Sequence, residues 1–446
     1  KRQAQAAAPH YRKEEPESMS LHVLMSGQPI GELQSNRHGQ PELVYRTDWR
    51  EATGASPLSL SLPLARSTHP TDVVSAVLWG LLPDNENTLQ RWGSRFHVSP
   101  RNPVALLAHV GEDCAGAVQF VTEERLQTVL SGESDGIELL TDHEAAQRLA
   151  RVRQDVGAGR TIDDAGQFSL AGAQAKIALL KTAAGWAIPS GRIPTTHILK
   201  PPSGDYEGFV ENEMFCLRLA RTMDLPAAWS EKLVLGEETA ICVERYDRVL
   251  VDGTWQRIHQ EDFCQALGVM PHIKYQNQGG PGPAALAGVL WQHSSQPRTD
   301  VESLLRALMF NYLVGGTDAH AKNYSILSGA GGKVRLAPLY DISSALPYPA
   351  LQKRKIKMAM KIGSHYCWWD IQLRDWQATA EDMHLDADDA LRTLARMCLQ
   401  LPRQAERLLA QFRGDGIGHE VLDRLVGEIE ASCRRCLQQF KAPSEA

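Results

Sequence analysis

Apolar and polar positions alternate through LHVLM, PIGELQ and PELVYR, between Leu21 and about Tyr45. Ser-Gly and His-Gly steps separate the runs, which predicts a small antiparallel meander. The spacing then becomes helical through DVVSAVLWGLLPD. Ser99-Pro100 predicts an N-cap and first-turn proline for a helix through RNPVALLAHVG, with Gly111 as its stop. DCAGAVQFV reads as a further strand that closes a first unit near Glu123. From Glu124 to Asp164 the chain turns polar, and Thr141 to Glu144 form a capping box ahead of EAAQRLARV. This stretch reads as linker plus one helix.

A second β-rich run begins with FSLAGAQAKIALL and continues through GWAIPS and HILK, ending at Lys200. GFVENEMFCLRLART carries Phe209, Met214, Leu217 and Arg221 at helical spacing, and Asp224-Leu-Pro226 ends it. Two more strands follow, EKLVLG and TAICVERYD. From Gln260 the periodicity is mostly helical: QEDFCQALGV, PAALAGVLWQH, DVESLLRALMFNYLVGG, DDALRTLARMCLQL and HEVLDRLVGEIEASCRRCLQQF. The clear β content there is one hairpin, YSIL and KVRLAPL, joined at SGAGG. The expected class is α+β. The expected units are a disordered extension (1–18), an N-terminal subdomain (19–123), a nucleotide-binding lobe with a linker helix (124–246) and a helical catalytic lobe (247–446).

At 446 residues the chain exceeds what one core organises, which fits several units. Its 47 basic and 53 acidic side chains leave a net charge of -6, so no global positive field holds nucleic acid or an anionic membrane. No apolar run approaches the roughly 20 residues of a membrane span, and the polar start has no hydrophobic targeting region, so the chain reads as cytoplasmic. Cys433 and Cys436 form one C-x-x-C without a second pair, which reads as a buried helix face rather than a zinc site.

The chemistry concentrates in the order Thr317-Asp318-Ala319-His320-Ala321-Lys322-Asn323, then the hairpin, then Tyr340-Asp341-Ile342. Phosphoryl transfer from ATP needs a carboxylate to accept the proton of the attacking hydroxyl and oxygen ligands to hold magnesium on the phosphates. An Asp followed five residues later by Asn repeats the protein-kinase catalytic loop, and an Asp after a short hairpin occupies the metal-binding place. Asp318 is then the base, with Asn323 and Asp341 the metal ligands. Upstream, the small residues of Ser169-Leu-Ala-Gly-Ala-Gln-Ala-Lys176 let backbone N–H groups approach phosphate oxygens. Lys200, ending an apolar strand, faces a nucleotide only if a helix carboxylate holds it; Glu213 is the candidate and Glu211 the alternative. The segment ICVERYDR joins two lobes, where backbone groups of Glu244 and Tyr246 can read an adenine edge. Lys353 to Lys361 alternate cationic and apolar residues, a strand with a wet basic face suited to an acidic partner or RNA phosphate.

With these residues in view the chain resembles the HipA family of bacterial kinase toxins over about Leu21 to Phe440. The resemblance rests on PLSLSLPL, GLLPDN, DCAGAV, SLAGAQAK, PTTHILKPP, ENE, VERYDR, QEDFCQALG, the Lys274 to Gly282 run, TDAHAKNYS and LAPLYDISSA. It implies a bilobal protein-kinase-like fold of the lipid-kinase-like branch, with an N-terminal subdomain on the nucleotide lobe. It implies an ATP- and Mg2+-dependent serine/threonine kinase that arrests growth and promotes persistence by phosphorylating a translation protein, glutamyl-tRNA synthetase in the characterised case. The implied partner is a HipB-like DNA-binding antitoxin, with operator DNA reached only through it. Carried over by motif, Asp318 is catalytic, and Asn323 and Asp341 bind metal. Ala171, Gly172, Ala173, Gln174, Ala175 and Lys176 form the phosphate loop, Lys200 grips phosphates, and Glu244, Arg245 and Tyr246 form the hinge. His320 and Tyr340 line the nucleotide site, and Ser169 matches the autophosphorylated serine that switches the enzyme off. The family loop usually reads AGAQEK, so Ala175 stands where a glutamate is usual.

Two other readings compete, a small-molecule or lipid-type kinase and a catalytically idle corepressor acting with a DNA-binding antitoxin. Retention of Lys200, Asp318, Asn323 and Asp341 speaks against idleness. An extra N-terminal subdomain and a basic strand are superfluous for a compact metabolite.

Overall fold

The alternating runs pair as expected: β1 (Ser20–Met25), β2 (Gln28–Ser35) and β3 (Pro41–Tyr45) form an antiparallel meander. β4 (Val118–Val121) joins the far side of β1, giving the order β3-β2-β1-β4. The structure is a computed structural model describing residues 20–36, 40–154, 169, 171–172, 174–202 and 206–441. The expected extension 1–18, the end of the polar stretch to Asp164 and Ala173 lie outside the described residues. One face of the sheet buries Leu21, Val23, Ile30, Leu33, Leu43 and Phe120 against Val74, Val77, Leu78, Leu81 and Leu107 from the helices Thr71–Leu81 and Pro103–Val110.

Two local expectations change here. The N-cap of the helix Pro103–Val110 is Asn102, whose side chain accepts from Ala105 N–H at 3.2 Å, while Ser99 closes a turn before it. Asn102-Pro103 is a second cap-and-proline pair, placed directly against the apolar run. A further helix, Glu86–Phe96, has too few apolar positions to announce itself and starts at Asn85, which caps Asn87 and Thr88.

The second sheet has six strands in the order β5-β7-β6-β8-β10-β9. These are β5 (Gly136–Leu139), β6 (Ile177–Thr182), β7 (Gly185–Ser190), β8 (His197–Lys200), β9 (Ser230–Leu235) and β10 (Glu238–Glu244). Period-two alternation serves both faces. Ala240 and Cys242 meet the helix Asp142–Gln154, and Ile241 and Val243 meet the helix Phe209–Thr222. The Thr141 capping box forms, with Thr141 N–H donating to Glu144 at 2.7 Å and Glu144 N–H to Thr141 Oγ1 at 3.2 Å. The expected linker nevertheless holds a second helix, Glu123–Ser131, and the edge strand β5. Ile137 and Leu139 of β5 remain 52% and 55% exposed, so pairing with β7, not burial, defines that strand.

Beyond β10 the helices Pro283–His293, Pro297–Val314, Leu373–Asp382, Ala387–Gly414 and Glu420–Gln439 build a large core around Leu304, Phe310, Trp376 and Phe412. Cys433 and Cys436 lie buried in it. More β structure is present than the periodicity predicts. A hairpin, β11 (Arg248–Val251) and β12 (Thr254–Arg257), precedes β13 (His259–Asp262), which pairs with β14 (Ser325–Gly329) beside β15 (Lys333–Leu336). QEDFCQALGV therefore begins as strand, and only Phe263–Ala266 is helical, capped by Asp262. The basic run also differs: 353–355 is a tight turn, β16 (Lys357–Ile362) pairs with β17 (His365–Cys367), and Ala359 is buried on the expected wet face. Its N–H donates to Thr317 C=O at 3.0 Å. No helix among the described residues is long and apolar enough to cross a membrane.

The first unit is fastened to the rest of the chain by buried charge. Asp113 accepts from Arg248 at 3.0 Å and Arg257 at 3.2 Å, while Arg245 and Arg248 each reach Asp247 at 2.9 Å. Gly116 N–H also donates to Asp247, at 2.7 Å.

Candidate active site

Register on β8 decides where Lys200 points. Leu199 faces the apolar core, so Lys200 faces the cleft, and its Nζ donates to Glu213 Oε1 and Asp341 Oδ1, both at 2.7 Å. Glu211, two helical positions from Glu213, turns to Lys232 at 2.6 Å. The helix thus offers Glu213 alone to Lys200. Burial disfavours the Lys200 ammonium, but Asp341 and Glu213 outweigh it and raise its pKa. Burial likewise opposes the Asp341 carboxylate, yet Lys200 and Lys176 hold it down at about 2. Asp341 has φ +58°, the left-handed region that non-glycine residues seldom adopt.

The helix Pro297–Val314 ends at Gly315, φ +72°, and delivers Thr317-Asp318 to the cleft mouth. A tight turn at Ala321–Asn323 brings Asn323 back, so its Nδ2 donates to Asp318 C=O at 2.8 Å. That contact explains the five-residue spacing. The β14-β15 hairpin then returns the chain to Tyr340, whose hydroxyl donates to Lys322 C=O at 2.6 Å and meets Ser325 Oγ at 2.6 Å. Asp318, its side chain 69% exposed, accepts from Tyr275 OH at 2.5 Å. His320 is buried edge-on to the Tyr275 ring at 4.9 Å, and desolvation lowers its pKa to about 3, so the ring is neutral.

The phosphate-loop residues divide. Ala171, Gly172, Gln174 and Lys176 line the cleft, and Lys176 Nζ donates to Ala171 C=O. Gly172 has φ +106°, a backbone conformation that favours glycine, and it lies close under the Lys176 ammonium. Ala175 instead turns inward and packs with Ile177, Leu179 and Trp186, as an apolar methyl should. Its side chain is not a cleft group. Ser169 is fully buried: its Oγ donates to Leu81 C=O at 2.8 Å and its N–H to Asp113 C=O at 2.9 Å, so the loop's start is docked on the first unit.

Arg245 borders the cleft at the expected hinge, while its guanidinium is spent on Asp247, Asp113, Thr195 and Cys114 C=O. Its N–H donates to Thr196 C=O, and that of Glu244 donates to Trp229 C=O. The Glu244 carbonyl is therefore the group that residue can offer an adenine edge. Tyr246 stacks obliquely on Tyr340, ring centroids 5.7 Å apart, and both flank the cleft.

Together these groups line a cavity of about 340 Å³ between the second sheet and the helical lobe. Within it Gln174 Nε2, Glu213 Oε2 and His320 Nδ1 are buried without a hydrogen-bond partner among the described residues, as a site awaiting a polar ligand would leave them. Among the described residues no group of three or more His, Cys, Asp or Glu is arranged to hold a metal ion by itself. Asp341 and Asn323, the metal ligands expected from the sequence, both line this cleft, and a carboxylate with an amide oxygen is a set that suits magnesium shared with phosphates. No motif in the sequence assigns a role to Tyr275, Lys274 or Asp84. Each lies inside a quoted motif, but Asp84 meets Lys274 at 2.8 Å and Lys322 at 2.5 Å across about half the chain. No local pattern reports such a contact.

The chain matches the family model for the HipA-like C-terminal domain at residues 168–405 and that for the HipA N-terminal domain at 21–121. It is 37% identical to "Putative kinase Y4mE" of Sinorhizobium fredii over 365 residues, 81% of this chain and 85% of the relative. It is 28% identical to the serine/threonine-protein kinase toxin HipA of Shewanella oneidensis over 400 residues, 86% and 88% of the two chains. Among solved structures, the complex of Shewanella oneidensis HipA with HipB and operator DNA superposes with TM-score 0.80 at 25% identity, covering 94% of this chain and 98% of that one. The bilobal kinase-like architecture is thereby shared.

Proposed function

The chain belongs to the HipA family, and from that premise we propose that it is an ATP- and magnesium-dependent serine/threonine protein kinase acting as the toxin of a type II toxin–antitoxin pair. The observation that carries the reading is Lys200 held between Glu213 and Asp341, in the same cleft as the Asp318–Asn323 loop. ATP fits between the hinge and the phosphate loop, its phosphates met by Lys200, Lys176 and the backbone at Ala171 and Gly172. Asn323 and Asp341 would hold magnesium, which neutralises phosphate charge when bound. Asp318 stands at the open mouth, where a protein hydroxyl can replace Tyr275 OH on its carboxylate. That hydroxyl oxygen bonds to the terminal phosphorus, the bond to the ADP oxygen breaks, and the proton passes to Asp318.

A translation protein, glutamyl-tRNA synthetase in the first instance, is the proposed substrate. A HipB-like antitoxin is the proposed partner and supplies the DNA contacts that a chain of net charge -6 does not. Phosphosite mass spectrometry of cells expressing the wild type against Asp318→Ala tests both activity and target. Loss of the carboxylate should cost at least about 10²-fold in transfer and abolish growth arrest. Continued arrest by the variant at equal expression would show that phosphoryl transfer is not the toxic activity.

A further inference from the structure

Asp84 comes from the GLLPDN loop of the first unit, yet it ends inside the cleft. Its Oδ1 accepts from Lys322 at 2.5 Å and its Oδ2 from Lys274 at 2.8 Å, with all three side chains mostly buried. Lys322 precedes Asn323, and its carbonyl anchors Tyr340, the residue before Asp341. Lys274 precedes Tyr275, which bonds Asp318. Through its backbone the same residue reaches the phosphate loop: Asp84 N–H donates to Gly172 C=O at 3.2 Å, and Pro83 bridges Gly172 in parallel. One carboxylate-bearing residue therefore touches three segments that must agree in position, and the first unit also holds the loop's start at Ser169.

We propose that Asp84 is a positioning residue through which the N-terminal unit clamps the closed phosphate loop onto the catalytic loop, making the phosphotransfer site a composite of both units. The physical reason is charge. With the carboxylate gone, the Lys322 and Lys274 ammonium groups face each other in a site with little water, and a buried pair stripped of its partner is strongly unfavourable. The lysines separate, the Asp84 backbone loses its seat against Gly172, and Asn323 moves with Lys322. The idea rests on the kinase reading for its consequences in turnover, but not for its consequences in loop order.

The test uses the full chain with Asp84→Asn and Asp84→Glu. Three readouts are Mg·ATP affinity by calorimetry, amide exchange of the Ala171–Lys176 peptide without nucleotide, and steady-state kinetics. Asp84→Asn should bind ATP about tenfold more weakly, exchange the loop faster and lose about 10²-fold in kcat/KM, the scale of a misplaced catalytic group. Asp84→Glu, which keeps the charge, should recover most of the affinity and protection. A folded Asp84→Asn with wild-type affinity and exchange overturns the clamp, as does Asp84→Glu behaving no better than Asp84→Asn. If Asp84→Asn does not fold, Asp84→Glu decides alone: affinity within about threefold of wild type supports the clamp, and a loss of about tenfold overturns it. Failure of the wild type to transfer phosphate would sink the kinase reading while leaving the exchange result to judge the clamp.

Discussion

Phosphorylating Ser169 should drive the phosphate loop out of the cleft, and the cost follows from its surroundings. The side chain is fully buried and donates to Leu81 C=O at 2.8 Å. A phosphoryl group brings about -1.5 to -2 charges and has no reliable proton for that carbonyl, so acceptor would face acceptor. The lost hydrogen bond is worth about 1 kcal/mol, and keeping an uncompensated anion buried costs several kcal/mol more even after relaxation. Against this, the described docking of the loop is a few hydrogen bonds of about 0.5–1.5 kcal/mol each, so the loop leaves. If release is favoured by about 3 kcal/mol, the closed form falls below about one in a hundred and ATP affinity falls by about 10²-fold. The assay is calorimetric titration of Mg·ATP into purified phosphorylated protein and the same preparation after phosphatase treatment. Equal affinities would refute the reasoning and leave Ser169 an incidental site. Ser169→Asp should imitate the effect only in part, since one carboxylate carries less charge. Ser169→Ala is an ambiguous control, because it also deletes the Leu81 bond. A buried hydroxyl must first be exposed to be modified, so the modification should be limited by loop opening.

Local chemistry was legible and distant pairing was not. Alternation identified the meander, and the Asp318–Asn323 spacing is accounted for by a hydrogen bond that fixes Asn323 to Asp318 C=O. Lys200 at a strand end announced the need for a helix carboxylate, but only helix phase, visible in three dimensions, separates Glu213 from Glu211. Ala175 shows the opposite failure: motif position placed it in the nucleotide site, while its apolar methyl was drawn into the core. β5 could not be read at all, since its exposed residues take their conformation from β7. Asp84 was hidden for the same reason, its meaning lying in two lysines far along the chain.

Asp341→Ala should weaken Mg·ATP binding by at least about tenfold without unfolding the chain, because it removes a hard oxygen ligand and one of the two partners of Lys200. Calorimetry showing unchanged affinity would remove it from the site. Asp113→Ala leaves Arg245, Arg248 and Arg257 buried around a missing carboxylate, and should cost about 3–5 kcal/mol in denaturant unfolding; a loss under about 0.5 kcal/mol would place that network's weight elsewhere. The pH dependence of ATP binding should report Lys176. Burial first, and then the Lys200 charge, lower its pKa to about 8, and in the free protein its Nζ donates to the Ala171 carbonyl. Nucleotide phosphates favour the ammonium, so binding raises that pKa. Below about 8 the lysine is already charged and affinity is flat; above it, ATP must bring a proton, and affinity should fall by up to about tenfold per pH unit until the bound-state value is passed. Lys176→Arg, charged throughout, should flatten the profile, and a wild-type profile flat from pH 7 to 9.5 would exclude Lys176 from phosphate contact.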